Sequence, residues 1–139
     1  MKKLLHIVAL ALLATLVVVS TAAAARPPQA PVTFTLVHGL PATMQVGQSY
    51  TVTVQVTASE RFNLAMALPD DQFPGKGVVA HGADRAGAGT SATLEITFTA
   101  KGSTAALPGG KDQVAVVAGV RYPRGQTVLQ RFDFSVTVP

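Results

Sequence analysis

This chain of 139 residues contains no cysteine and no tryptophan, and only 13% of its residues are charged. Without cysteine there is no disulfide framework, no thiolate-held metal and no lipid on an N-terminal Cys. Aromatic residues make up 6% of the chain, so a core has to be assembled mainly from aliphatic side chains. The basic residues are scattered, and the clustered basic face that nucleic acid requires is missing. No Gly-x-Ser-x-Gly elbow surrounds any serine, and neither "GAGTS" (87–91) nor "PGGK" (108–111) leads into a helical pattern. That removes the signatures of a serine hydrolase and of a phosphate-cradling loop. No long internal period recurs, so one domain is expected.

What is present begins with an N-terminal segment unlike the rest. Lys2 and Lys3 precede an apolar run, Leu4–Val19, broken only by His6 and Thr15, and "STAAAA" (20–25) closes it. Basic, then apolar, then small residues ending in Ala-x-Ala is the order of a secretory signal peptide, with cleavage expected after Ala25. The competing reading is an uncleaved anchor. The apolar run is short against the about 20 residues of a typical span, but it could cross a thin membrane with the two lysines on the cytoplasmic side. Both readings export the remainder. Residues 26–31, "RPPQAP", form a Pro-rich, semi-rigid linker. Without residues 1–25 the chain keeps 114 residues, with nine Lys and Arg against seven Asp and Glu. That is long enough for one modest core.

From Val32 to Pro139 the dominant period is two, the mark of strands. Tyr50, Val52, Val54 and Val56 share one face of Ser49–Ala58. Phe62, Leu64, Met66 and Leu68 fall together in Arg61–Leu68, and Leu94, Ile96 and Phe98 in Ser91–Ala100. Phe132, Phe134, Val136 and Val138 alternate with polar residues at the end of the chain. Val114–Ala118 is apolar on both faces, as a central strand requires, and Val32–Val37 and Lys76–Gly82 read as edge strands. The intervening "LPDDQFPGKG", "GADRAGAG", "GSTAALPGG" and "YPRGQ" carry turn chemistry. About seven or eight short strands with Thr-rich outer faces predict an all-β, antiparallel β-sandwich over 32–139.

The stretch "VGQSYTVTVQVTASERFNLAMALPDDQF" resembles the second and third strands of bacterial extracellular immunoglobulin-like domains, and "GAGTSATLEITFTA" resembles their fifth strand. The closest look is to Thr/Val-rich surface-protein repeats and their adhesion-module relatives. The resemblance covers Val32–Val138 at the level of pattern. It implies an immunoglobulin-like sandwich and a spacing, adhesion or assembly role. The chain departs from true immunoglobulin domains in lacking the paired Cys and core Trp, and from the surface repeats in carrying a single copy.

The densest chemistry lies in "LPDDQFPGKGVVAHG" (68–82). Asp70, Asp71 and Gln72 offer oxygen ligands for a cation, but neighbours on an extended chain point to opposite sides, and the spacing of a calcium loop is missing. His38, His81, Met44 and Met66 are the side chains a soft Cu(I) site would draw on; both Met residues also fall on apolar faces where Met serves as core filler. Phe73 is an apolar residue in a polar loop, expected either to plug the end of the sandwich or to meet a partner. Tyr122 and Arg124, in the turn "YPRG", are candidate partner contacts, with Tyr122 packed on the sandwich rim as the alternative. The expectation is an exported, non-catalytic binding or structural module without a cofactor, whose partner is a protein or envelope component or a second copy joined through an edge strand. The alternatives are an anchored accessory subunit and a periplasmic copper-binding protein.

Overall fold

A computed structural model describes residues 31–139. The expected signal segment (1–25), with its helix, and all but the last residue of the linker lie outside the described residues. The remainder is eight strands and one short 3-10 turn at Pro108–Gly110: β1 (Val32–His38), β2 (Ser49–Phe62), β3 (Leu64–Asp71), β4 (Val78–Ala80), β5 (Asp84–Ala86), β6 (Gly89–Ala100), β7 (Asp112–Arg121) and β8 (Thr127–Val136). They form two four-stranded sheets, ordered β1-β2-β6-β4 and β5-β3-β7-β8. All strand pairs within them are antiparallel.

Alternation explains most of this arrangement. Val52, Val54 and Val56 of β2 stand beside Ile96, Leu94 and Ala92 of β6 in register, and point at the second sheet. From there Val114, Val116, Ala118 and Val120 of β7 and Val136 of β8 complete the same cluster, with Phe132 and Phe134 packed against it. A single buried cluster therefore draws on both sheets, as a sandwich requires. β7 is central, between β3 and β8, and β1 and β4 are the edges of the first sheet, as the sequence predicts. After β1 the chain crosses to the other layer. Met44 N–H donates to Thr137 O at 3.0 Å and Thr137 N–H to Ala42 O at 2.9 Å, a parallel bridge beyond the end of β8.

Three expectations need correction. Phe62 does not share a strand or a face with Leu64, Met66 and Leu68. β2 runs to Phe62, and the chain changes sheets at Asn63, whose N–H donates to Arg121 O at 2.8 Å. The inward phase switches there from even to odd positions. Phe62, Ala65 and Ala67 are fully buried, while Leu64, Met66 and Leu68 face outward. Asp84–Ala86, expected as turn, is a strand paired with Ala65–Ala67. Tyr50, expected inward with Val52, is exposed at the start of β2.

Candidate functional site

The two outer faces of the sandwich differ in chemistry. On the β1-β2-β6-β4 sheet the outward residues are polar and bond to one another across strands. Ser49 Oγ and Thr99 Oγ1 lie 2.6 Å apart, Thr51 and Thr97 hydroxyls 2.9 Å apart, and His81 Nε2 is 2.7 Å from Thr99 Oγ1. Water competes well for such a surface; the exposed apolar side chains on this side, Leu36, Val37, Val46 and Tyr50, lie on β1, in the β1–β2 connection and at the start of β2.

The outer face of the β5-β3-β7-β8 sheet carries large apolar side chains in rows across the strands. The register places Leu64 beside Arg121 and Thr127, Met66 beside Gly119 and Leu129, Leu68 beside Val117 and Arg131, and Asp70 beside Ala115 and Asp133. Arg85 of β5 stands beside Met66. Leu129 is 61% exposed and Leu68 40%, with Met66 and Val117 half-buried. Leu129 lies over Gly119, where a β-carbon would come within 2.5 Å of its Cδ2. The apolar middle has Arg121 at one end and Asp70 and Asp133 at the other, with Arg131 bridging both carboxylates and Arg85 beside Met66 at the β5 edge. Sequence reasoning missed this face, although Leu129 occupies the polar phase of β8 alongside Arg131, Asp133 and Ser135.

The dense loop resolves into separate parts. Asp70 points outward to Arg131. Asp71 turns toward the interior, and its Oδ1 accepts the Phe73 N–H at 2.8 Å, closing an Asx turn. The proposed oxygen ligands therefore diverge. Among the described residues, no group of three or more His, Asp or Glu side chains is arranged to hold a metal ion. Phe73 is half-buried in this loop.

Asp112, which the sequence reading passed over, occupies the inward phase of β7 and is fully buried. Its Oδ2 accepts the Val78 N–H at 2.8 Å. Oδ1 has no hydrogen-bond partner. Burial pushes its carboxyl above the usual range, and the neighbouring charge of Asp71 pushes it further, against the lowering effect of the Val78 N–H. Burial raises Asp71 as well, and Asp70 adds to that. Carboxyls with raised values bind more protons folded than unfolded. Their contribution is full below the unfolded value and is lost as pH rises through the raised folded values. Asp112→Asn keeps an acceptor for Val78 N–H and removes this titration. Thermal melts from about pH 3 to about pH 8 should show the variant less sensitive to rising pH than the parent, and more stable at neutral pH. An unchanged slope would refute this account of Asp112.

The copper candidates are dispersed. Met44 is buried in the core, and Met66 lies on the outer face of the second sheet. His38 is on β1 at one edge of the first sheet, and His81 follows β4 at the opposite edge. With β2 and β6 between them, the backbones of the two histidines stand about three strand spacings, roughly 14 Å, apart, and His81 Nε2 is engaged with Thr99 Oγ1. No copper centre is formed from these four residues.

The pair Tyr122 and Arg124 also separates. Arg124 is exposed in the β7–β8 turn, whereas Tyr122 is 5% exposed and packs with the core. Tyr122 is thus not a surface contact: its backbone is held by the Gln126 carbonyl at 2.8 Å, while its ring fills the end of the sandwich. Its hydroxyl is buried without a partner, and burial raises its ionisation above the ordinary tyrosine value. Removing an unpartnered buried hydroxyl relieves its desolvation, so Tyr122→Phe should gain about 1 kcal/mol in urea unfolding; a loss of that size would show the hydroxyl to be bonded. Phe73 follows β3 and Arg124 follows β7. The two strands are antiparallel, so these candidates lie at opposite ends of the sheet and form no common site. The chain matches no protein-family model and no curated protein.

Proposed function

We propose that this protein is an exported, non-catalytic binding module whose working surface is the outer face of the β5-β3-β7-β8 sheet. The observation that carries the reading is the inverted β3 strand, with Ala65 and Ala67 inside and Leu64, Met66 and Leu68 outside. A sheet face that meets only water is normally polar, as the hydroxyl-rich middle of the opposite face is. A cluster of outward apolar side chains rimmed by charge is the composition of a contact surface.

The finer fold reading is immunoglobulin-like. It is supported by the chain's early switch of layers, in which β1 pairs with β2 and residues 42–44 then run parallel to the end of the chain. Export is supported by the basic, apolar and small-residue order of residues 1–25. Fractionation of producing cells with intact-mass analysis tests it. The expected species lies outside the cytoplasm and lacks about 25 residues. Full-length chain in the membrane fraction would mean an anchored subunit, and full-length chain in the cytoplasm would overturn export. Capture from envelope extract then tests binding: a partner retained by the parent and lost in Leu68→Lys supports the face.

A further inference from the structure

We infer that Asp71 and Asp112 together hold a calcium ion at the end of the sandwich where β3 stops and β7 begins. The inference goes beyond the binding reading. The site lies on the inward side of β3, away from the proposed contact face.

Register brings the two carboxylates together. Asp71 stands beside Val114, and the Gln72 N–H continues the ladder to Gln113 O at 3.3 Å. Asp112, two residues before Val114, is therefore the diagonal neighbour of Asp71, and both occupy the inward phase of their strands. Diagonal neighbours stand about 7–8 Å apart at the backbone, with their side chains closer. One calcium ion with bonds of about 2.4 Å bridges two carboxylates across such a gap. Each carboxylate spends one oxygen on the loop that joins β3 to β4. Asp71 Oδ1 accepts the Phe73 N–H and Asp112 Oδ2 accepts the Val78 N–H, both at 2.8 Å. Between them Phe73 O accepts the Lys76 N–H at 3.0 Å around Pro74 and Gly75, whose φ of 78° suits a type II turn. The loop is thus pinned at both ends, with the second oxygen of each carboxylate left over.

Buried charge selects a cation. Asp112 is fully buried and its Oδ1 has no hydrogen-bond partner. Buried carboxylates are paired with a cation or coordinate a metal. Among the described residues the ion pairs are those of Arg131 with Asp70 and Asp133. Lys76 and Lys111, the lysines closest along the chain, are exposed and pair with neither carboxylate. Burial raises both carboxyls, and Asp71 adds to the rise at Asp112; a bound cation offsets both costs. Two carboxylates balance one divalent ion. Backbone carbonyls and water supply the rest of the about six to eight oxygens that calcium takes. Magnesium demands near-octahedral geometry and gives up water reluctantly, so a half-enclosed oxygen pair suits it poorly. Two carboxylates place the affinity near the about 0.1–1 mM of extracellular calcium modules.

Urea unfolding of the purified full chain tests this, after EDTA treatment and then with or without about 10 mM calcium chloride at matched ionic strength. At about 10 to 100 times the expected dissociation constant, calcium should raise the folded-to-unfolded ratio about 10- to 100-fold. Magnesium at the same concentration should do far less. Asp71→Asn and Asp112→Asn keep acceptors for the Phe73 and Val78 N–H groups, and both should lose the response. Asp71 is only half-buried, so its variant decides the matter if Asp112→Asn fails to fold. Asp70→Asn should keep the response, because Asp70 points outward to Arg131. A parent indifferent to calcium overturns the proposal. So does an equal response to magnesium, which would be general screening of acidic charge. A response that survives Asp71→Asn or Asp112→Asn, or that is lost in Asp70→Asn, puts the ion elsewhere and overturns the site.

Discussion

Gly77→Ala is expected to be among the most damaging single-carbon additions to this protein, costing about 2–5 kcal/mol. Gly77 is buried with φ at 78°, in the left-handed region. A β-carbon there would sit 2.6 Å from Asp112 Oδ2 and 3.0 Å from Thr104 Cγ2. Oδ2 is the atom that accepts the Val78 N–H, so making room for the methyl breaks the one strong bond of a buried carboxyl. Thr104 cannot yield easily either. Its hydroxyl donates to Gly110 O at 2.8 Å and accepts the Val138 N–H at 2.9 Å, tying the turn before β7 to the end of the chain. Gly75 provides the control. It has the same φ, but nothing lies within 4 Å of its added β-carbon. Gly75→Ala should therefore cost only the backbone strain, about 1–2 kcal/mol. Urea unfolding of the two variants at constant m value checks both. Equal losses would show that the Asp112 contact contributes nothing.

Phe62→Ala should cost about 3–5 kcal/mol, the usual range for deleting a buried ring. Phe62 is fully buried in the last position of β2, where the chain leaves one sheet for the other. Its Cζ lies 3.8 Å from where a β-carbon on Gly89 would stand, so the ring also covers the start of β6. The cavity has neighbours from both layers and cannot collapse without moving the Asn63 crossing. Chemical denaturation gives the measurement. A loss below about 1 kcal/mol, the level of ordinary surface changes, would mean that the ring is not the keystone of the corner.

Period two located nearly every strand. β2, β6 and β8 present the faces that their alternation predicts, and the apolar run at Val114–Ala118 marks the central strand. The period carries a phase, however, and the phase holds only while the chain stays in one sheet. At Asn63 the strand ends and a new one begins in the other layer with the opposite phase. Phe62 therefore continues in sequence into Leu64, Met66 and Leu68 while pointing to the other side in space. Nothing local reports such a crossing. The small alanines at 65 and 67 are the inward residues, on a strand that packs across the sandwich against β6, whose inward side chains are the larger Leu94, Ile96 and Phe98.

The site was half legible. Leu129 stands in the polar phase of β8 and Asp112 in the apolar phase of β7, and both exceptions are visible in the letters. Their meaning depends on neighbours far away in sequence: Leu68 and Gly119 for the first, Val78 and Asp71 for the second. The loop at 68–82 attracted attention through density alone. Its two carboxylates part to opposite sides of β3, one to Arg131 and one to its own turn, and alternation already implied that divergence.

The outer apolar face depends on the orientation of β3, and the absence of cysteine from the chain makes that orientation directly measurable. Four single-cysteine variants, Ala65→Cys, Ala67→Cys, Leu68→Cys and Leu129→Cys, can be treated with a maleimide under native conditions. The expected result is rapid labelling at 68 and 129 and protection at 65 and 67 until denaturant is added. Protection at 68 with labelling at 65 or 67 would return the leucines to the core and remove the apolar face on which the proposed function rests.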